Sequence, residues 1–217
     1  MVSSYPPTLS ALINDLPPRN QSKPAVLAVA LPAESKFPCV QREVDNIGNY
    51  GPVSKLLETE ATVKNVVKCM KEANWVHFSC HSIQDISDLT KSALLLAGGA
   101  CLTLSEISKL SLPNAELAYL SACQTATGAE YLSEEAVHLT AGMLLVGYRG
   151  VVGTMWSIMD DDAPKVADAV YSKLFKEPHP DPTLTAFALH EAVKKLCNES
   201  TKKKSFSSWV PYIHVGL

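Results

Sequence analysis

The sequence predicts an α/β domain with a mostly parallel sheet and helices on both faces, and three observations carry that expectation. Short continuous apolar runs recur along the 217 residues, at Val26–Leu31, Trp75–Phe78, Leu117–Leu120 and Gly150–Trp156. A strand apolar at every position is one buried on both faces, the condition of a parallel strand covered by crossover helices. Segments of helical period lie between these runs, the alternation of βα units. A hydrophobic content of 47% over this length supports one large core.

Residues 1–24 are rich in Pro, Ser and Asn around a single apolar stretch, Leu9–Leu16. They read as a leader, or as the remnant of an upstream region, with the domain proper at 25–217. Pro32 closes the first buried strand. A short helix is expected over Val40–Ile47, ending at Gly48. Val63, Val66, Val67 and Met70 then recur at i, i+3, i+4 and i+7, which predicts an amphipathic helix behind a cap at Thr59. That helix feeds the strand at Trp75. Ala93–Leu96 reads as a strand, Gly98-Gly99 as a turn, and Thr103-Leu104-Ser105-Glu106 as a capping box opening a helix to Leu110. Pro113-Asn114 breaks that helix before the strand at Leu117. The next helix spans Ser133–Val146 and stops at Gly147, ahead of the strand Gly150–Trp156. Beyond it a helix takes Pro164 in its first turn and puts Ala163, Val166, Ala167, Val170, Tyr171 and Leu174 on one face. A last helix, Leu184–Leu196, leads through the basic linker Lys202-Lys203-Lys204 to a terminal strand, Val210–Val215.

Charge and cysteine usage narrow the function. A net charge of −3 provides no basic field for phosphates, so the expected partners are proteins or peptides and not nucleic acid. No apolar run approaches the roughly 18 residues of a membrane span, so no membrane partner is expected. The six cysteines lack CxxC spacing and several lie in apolar segments, which reads as reduced, buried thiols in an intracellular, cytoplasmic setting.

Two of the apolar runs end in reactive side chains: Trp75-Val76-His77-Phe78-Ser79-Cys80-His81 and Leu117-Ala118-Tyr119-Leu120-Ser121-Ala122-Cys123. If these are neighbouring parallel strands, His81 and Cys123 leave the sheet at the edge where open α/β folds place their crevice. A thiol near neutral pH is mostly protonated, and a nearby imidazole favours or generates the thiolate. His81 and Cys123 are therefore the candidate catalytic pair. His77, inside its run, reads as a packed, hydrogen-bonded core histidine, and Cys80, on the opposite strand face from His81, as core. His138 and His190 fall in helices and His179 in a proline-rich loop, positions of structural or solvated histidines. A metal site from His77, Cys80, His81 and Cys123 matches no zinc spacing. Gly142 and Gly147 fit the bare spacing of a phosphate loop but lack the Lys-Ser/Thr that completes it. Asp160-Asp161-Asp162 has two readings. Acids favour a helix N-terminus; alternatively Asp160, on the same sheet edge as the pair, is the floor of an anionic pocket that selects a basic side chain.

The chain resembles the CHAT domains, caspase-like domains often found downstream of TPR repeats, and looks most like fungal members. The resemblance is carried by Trp75–His81, Leu94–Glu106, Leu120-Ser121-Ala122-Cys123-Gln124-Thr125-Ala126-Thr127-Gly128, Ser133–Leu139, Ala141-Gly142-Met143, Gly150–Asp160 and Ser208–Gly216. It covers nearly everything from Val26 onward. It implies a caspase-haemoglobinase-like three-layer sandwich and catalytic roles for His81 and Cys123. In the related separases an aspartate shortly after an apolar strand and a tryptophan reads a P1 arginine, and Asp160, four residues beyond Trp156, occupies the similar position. The resemblance also implies TPR or other regulatory regions as partners. One departure stands out: the family's histidine is usually followed by glycine, whose N–H helps form the oxyanion hole, and here Ser82 follows His81. A loop that needs positive φ would be strained by serine.

The sequence thus leads to a cysteine endopeptidase that cleaves protein substrates after a basic P1 residue. In it Cys123 attacks, His81 moves the proton, the N–H groups of Ser82 and Cys123 hold the oxyanion, and no metal or organic cofactor is required. The rival is a catalytically weak or inactive caspase-like interaction module, the reading that Ser82 favours.

Overall fold

The computed structural model describes residues 2–5, 23–31, 38–83, 85, 87–121, 123–124, 136–156, 158–176, 179–199 and 208–216. The apolar runs form the strands β1 (Val26–Ala30), β3 (Trp75–Ser79), β7 (Leu117–Leu120) and β9 (Gly150–Thr154), buried at every position. With β2 (Val53–Leu57) and β10 (Tyr212–Gly216) they make a six-stranded sheet in the order β10-β9-β7-β3-β1-β2. Every pairing is parallel except β10 with β9, which is antiparallel.

Alternating side chains of each strand feed two opposite cores. Leu27, Val29, Val76, Phe78, Ala118 and Leu120 pack under α2 (Val63–Glu72), α3 (Leu104–Ile107) and α4 (Ala136–Leu145). Val26, Trp75, Leu117, Tyr119 and Val152 pack under α5 (Ala163–Leu174) and α6 (Thr185–Glu199), with Ile47 of α1 (Pro38–Gly48) in the same cluster. At about 1.5–3 kcal/mol for each large apolar side chain removed from water, these two faces dominate stability. The architecture is a three-layer α/β sandwich, a mostly parallel sheet with helices on both faces. None of the helices among the described residues is long and apolar enough to cross a membrane.

A second, four-stranded sheet was not foreseen: β4 (His81–Ile83), β5 (Ala93–Leu95), β6 (Cys101–Thr103) and β8 (Cys123–Gln124), in the order β6-β5-β4-β8. It branches from the main sheet where β3 ends, so His81 and Cys123 belong to it and not to the six-stranded sheet. Other boundaries shift for local reasons. The cap of α2 is Thr62, whose hydroxyl accepts from Asn65 N–H, because a 3₁₀ turn at Glu58–Glu60 occupies the site expected at Thr59. The Thr103–Glu106 capping box is present, but α3 ends at Ile107 and continues as a tightened turn, with Leu110 N–H donating to Ile107 C=O. Gly147 ends α4 as expected, at φ 120°. The strand expected to reach Trp156 stops at Thr154, and the terminal strand starts at Tyr212. Ser4 and Tyr5, within the stretch read as a leader, join β10: Tyr5 N–H donates to His214 C=O at 3.1 Å and Gly216 N–H to Tyr5 C=O at 3.0 Å.

Candidate active site

β3 and β7 run side by side in parallel, with Phe78 opposite Leu120, so both chains leave the sheet at one edge. Beyond that edge the pairing is taken over by the small sheet: β4 and β8 are also parallel, and the register partner of His81 is Cys123, with Ser82 opposite Gln124. Register partners lie on the same face of a sheet, at neighbouring-strand spacing of about 4.8 Å. Two residues 42 positions apart in sequence are thus brought to directly opposed backbone positions. His81 is half-buried. The side chains of Cys123 and His138 lie outside the described residues.

A pocket opens beside His81, lined by Leu31, Glu43, Ser79, His81, Ser121 and Asp160, with Cys39 among the remaining lining residues. Its acids are not arranged as the sequence suggests. Asp160 is exposed and so stands at the mouth, not on the floor. The buried acid is Glu43, 2% exposed. Its Oε2 accepts hydrogen bonds from Ser79 Oγ at 2.7 Å and Ser121 Oγ at 3.1 Å. Its Oε1 lies 3.2 Å from His77 Nε2, within ion-pair distance but without hydrogen-bond alignment. His77 is fully buried, stacks on Tyr119 at 4.7 Å between centroids, and has Tyr171 Oη 3.4 Å from its Nδ1. It fits the core role expected of it. Burial also raises the Tyr119 and Tyr171 phenols well above their ordinary range, so both stay protonated. Cys80 is 3% exposed and packs in the opposite core.

Sequence reading passed over Glu43, although a signal was there. Val40, Glu43, Val44 and Ile47 share the inward stripe of α1, and a carboxylate on such a stripe has to be answered by buried donors.

The other acids have partners of their own. Asp161 pairs with Arg42 Nη2 at 3.2 Å and accepts from Cys39 Sγ at 3.5 Å, and these two donors lower its carboxyl pKa. Asp162 stands at the N-cap of α5, yet it makes no side-chain cap hydrogen bond. It meets Lys165 Nζ at 3.2 Å instead. Burial and the bond to Asp161 push the Cys39 thiol up, which disfavours its thiolate and makes it a poor nucleophile. His190 is half-buried on α6 and His179 is exposed.

Ser82 is 4% exposed, in extended backbone between β5 and β8. Among the described residues Glu58 alone, apart from glycines, has positive φ, so Ser82 does not occupy the left-handed region that would call for glycine. The strain expected from serine at this position is not present.

Two solved structures from Porphyromonas gingivalis share the fold. The Arg-specific cysteine proteinase gingipain R (RgpB) superposes with a TM-score of 0.57 at 15% identity, over 88% of this chain and 46% of that one. The complex of RgpB pro- and mature domains gives 0.55 at 14% identity, over 88% and 47%. The chain spans just under half the length of these proteins. No curated relative matches the sequence at a significant level. The sequence matches the CHAT domain family over residues 2–217. The opposed His81 and Cys123 thus sit at the sheet edge of a caspase-like cysteine peptidase fold, and the chain belongs to the CHAT domain family.

Proposed function

We propose that the chain is a cysteine endopeptidase that cleaves protein substrates after a basic residue through a Cys123–His81 dyad. The observation that carries this reading is the register that sets His81 opposite Cys123 beside a pocket with acids at its mouth and on its buried wall. His81 takes the Cys123 thiol proton, and the thiolate attacks the scissile carbonyl carbon. The tetrahedral oxyanion is held by the backbone N–H groups of Cys123 and Ser82; the extended backbone at Ser82 supplies that group without glycine. Collapse breaks the C–N bond, His81 returns its proton to the leaving amine, and water then hydrolyses the thioester with His81 as base. No step needs a metal. The likeness to an Arg-specific proteinase and the position of Asp160 at the pocket mouth support a basic P1 residue.

The test is cleavage of P1-Arg fluorogenic peptides by purified protein. Cys123→Ala and His81→Ala should each abolish turnover while leaving the melting curve close to wild type. Undiminished cleavage by Cys123→Ala would sink the assignment.

A further inference from the structure

The two chain segments that leave β3 and β7 and lead into His81 and Cys123 carry a serine at the same spacing: Ser79 lies two residues before His81, and Ser121 two residues before Cys123. Both hydroxyls donate to one carboxylate oxygen, Glu43 Oε2, from a helix outside either strand. A hydroxyl has one proton and two lone pairs. Each serine has therefore committed its donor to Glu43 and keeps only acceptors for whatever enters the pocket. The inner wall formed by Glu43, Ser79 and Ser121, respectively 2%, 1% and 5% exposed, offers the pocket acceptors, while the second carboxylate oxygen, Glu43 Oε1, is turned to His77 Nε2 at 3.2 Å. Such a wall leaves a neutral apolar side chain facing a desolvated carboxylate. It suits a group that is cationic and carries several donors in a plane, a guanidinium or amidinium, better than the compact ammonium of lysine.

Resting on the peptidase reading for its name as a P1 pocket, we propose that Glu43 is the principal specificity-determining residue of this site. Glu43 and the two serines it holds form the floor that selects arginine over lysine, and Asp160 is an auxiliary charge at the mouth. Glu43→Gln is the discriminating variant. Its carbonyl oxygen can keep both serine hydrogen bonds and its amide can donate to His77 Nε2, so shape and packing persist while the charge goes.

Two measurements decide it. Benzamidine, with neutral benzamide as its control, is titrated into wild type, Glu43→Gln and Asp160→Asn and followed by ligand-observed NMR, which requires no turnover. Benzamidine should bind wild type in preference to benzamide, and Glu43→Gln should weaken it at least tenfold, more than Asp160→Asn does. Absence of benzamidine binding to wild type, or equal affinity in Glu43→Gln, overturns the proposal. In the second measurement kcat/KM is taken for matched substrates with P1 arginine, lysine and citrulline. Glu43→Gln should collapse the arginine-to-citrulline ratio by tenfold or more. A uniform fall in kcat across all three would mean that Glu43 only braces the two strands, and would refute a role in selection. If wild type cleaves nothing, the peptidase reading fails while benzamidine binding still decides the role of Glu43. Should Glu43→Gln not fold, Ser121→Ala, which removes one acceptor from the same wall, should weaken benzamidine several-fold, and unchanged binding overturns the proposal.

Discussion

Acidification should destabilise this protein through one buried histidine far from the candidate dyad. His214 on β10 is 3% exposed, opposite Val152 in the ladder, and its ring reaches the bare Gly150, the register partner of Gly216; a Cβ on Gly150 would lie 3.0 Å from His214 Nε2. Ser4 Oγ lies 2.8 Å from His214 Nδ1. Desolvation depresses the imidazole pKa to about 4, against about 6.5 in an unfolded chain. Between these values the unfolded chain binds a proton that the native chain does not, so stability is complete above about pH 6.5 and falls as pH drops toward 4. A gap of about 2.5 units at 1.36 kcal/mol each amounts to about 3 kcal/mol, a large share of the roughly 5–15 kcal/mol that holds a typical domain together. Urea unfolding followed by tryptophan fluorescence, from about pH 7 to about pH 4.5, measures the loss. His214→Gln keeps a polar partner for Ser4 and removes the titration. Asp45, Asp85, Asp88, Asp161 and Glu106 also have lowered pKa values, but their contributions are lost only below the ordinary carboxylate range and are common to both proteins. The wild-type midpoint should therefore fall more steeply with acid than that of His214→Gln. Parallel slopes for the two proteins would refute the argument.

Two further substitutions test the fold around the site. Ser82→Gly should lower stability by about 0.5–1 kcal/mol, the cost of glycine inside a strand, and should not raise turnover on P1-Arg peptides, because Ser82 already sits in relaxed extended backbone. A several-fold gain in kcat would show that the oxyanion loop needs glycine after all. Gly147→Ala should cost about 1–3 kcal/mol or more, read as a drop in Tm, since φ is 120° and the added Cβ would lie 2.6 Å from Leu112 C=O. An unchanged Tm would mean that α4 can end without this turn.

What the sequence disclosed follows from length and environment. β1, β3, β7 and β9 are buried on both faces, so each leaves a continuous apolar run, and the pair His81–Cys123 could be read from the ends of two such runs. β2 escaped because it is an edge strand with Ser54 exposed and the rest half-buried, a pattern with neither a run nor a clean alternation. Of the small sheet only β5 was legible, as the apolar run Ala93–Leu96; β4, β6 and β8 are two or three residues long and leave no such run. Glu43 escaped for a different reason. Its donors, Ser79 and Ser121, are 36 and 78 residues away, and no local pattern announces a hydrogen bond between a helix and the ends of two distant strands. Asp160 was legible as an acid at the correct edge, but exposure is a tertiary property, and it places this residue at the mouth rather than the floor.

The repeated spacing of serine and reactive residue acts as a ruler. Two residues of extended chain span at most about 7 Å, so the separation between the hydroxyls that grip Glu43 and the backbone of His81 and Cys123 has a covalent upper limit. Side-chain replacement can change the charge or the donors at the bottom of the pocket, but it cannot make the pocket deeper. A longer reach would require lengthening both β3 and β7 together, which would also put their alternation out of phase with the two cores. Divergence among proteins built this way should therefore alter which residue is accepted through position 43 and its two serines, while the distance from that residue's anchor to the bond beside it stays fixed.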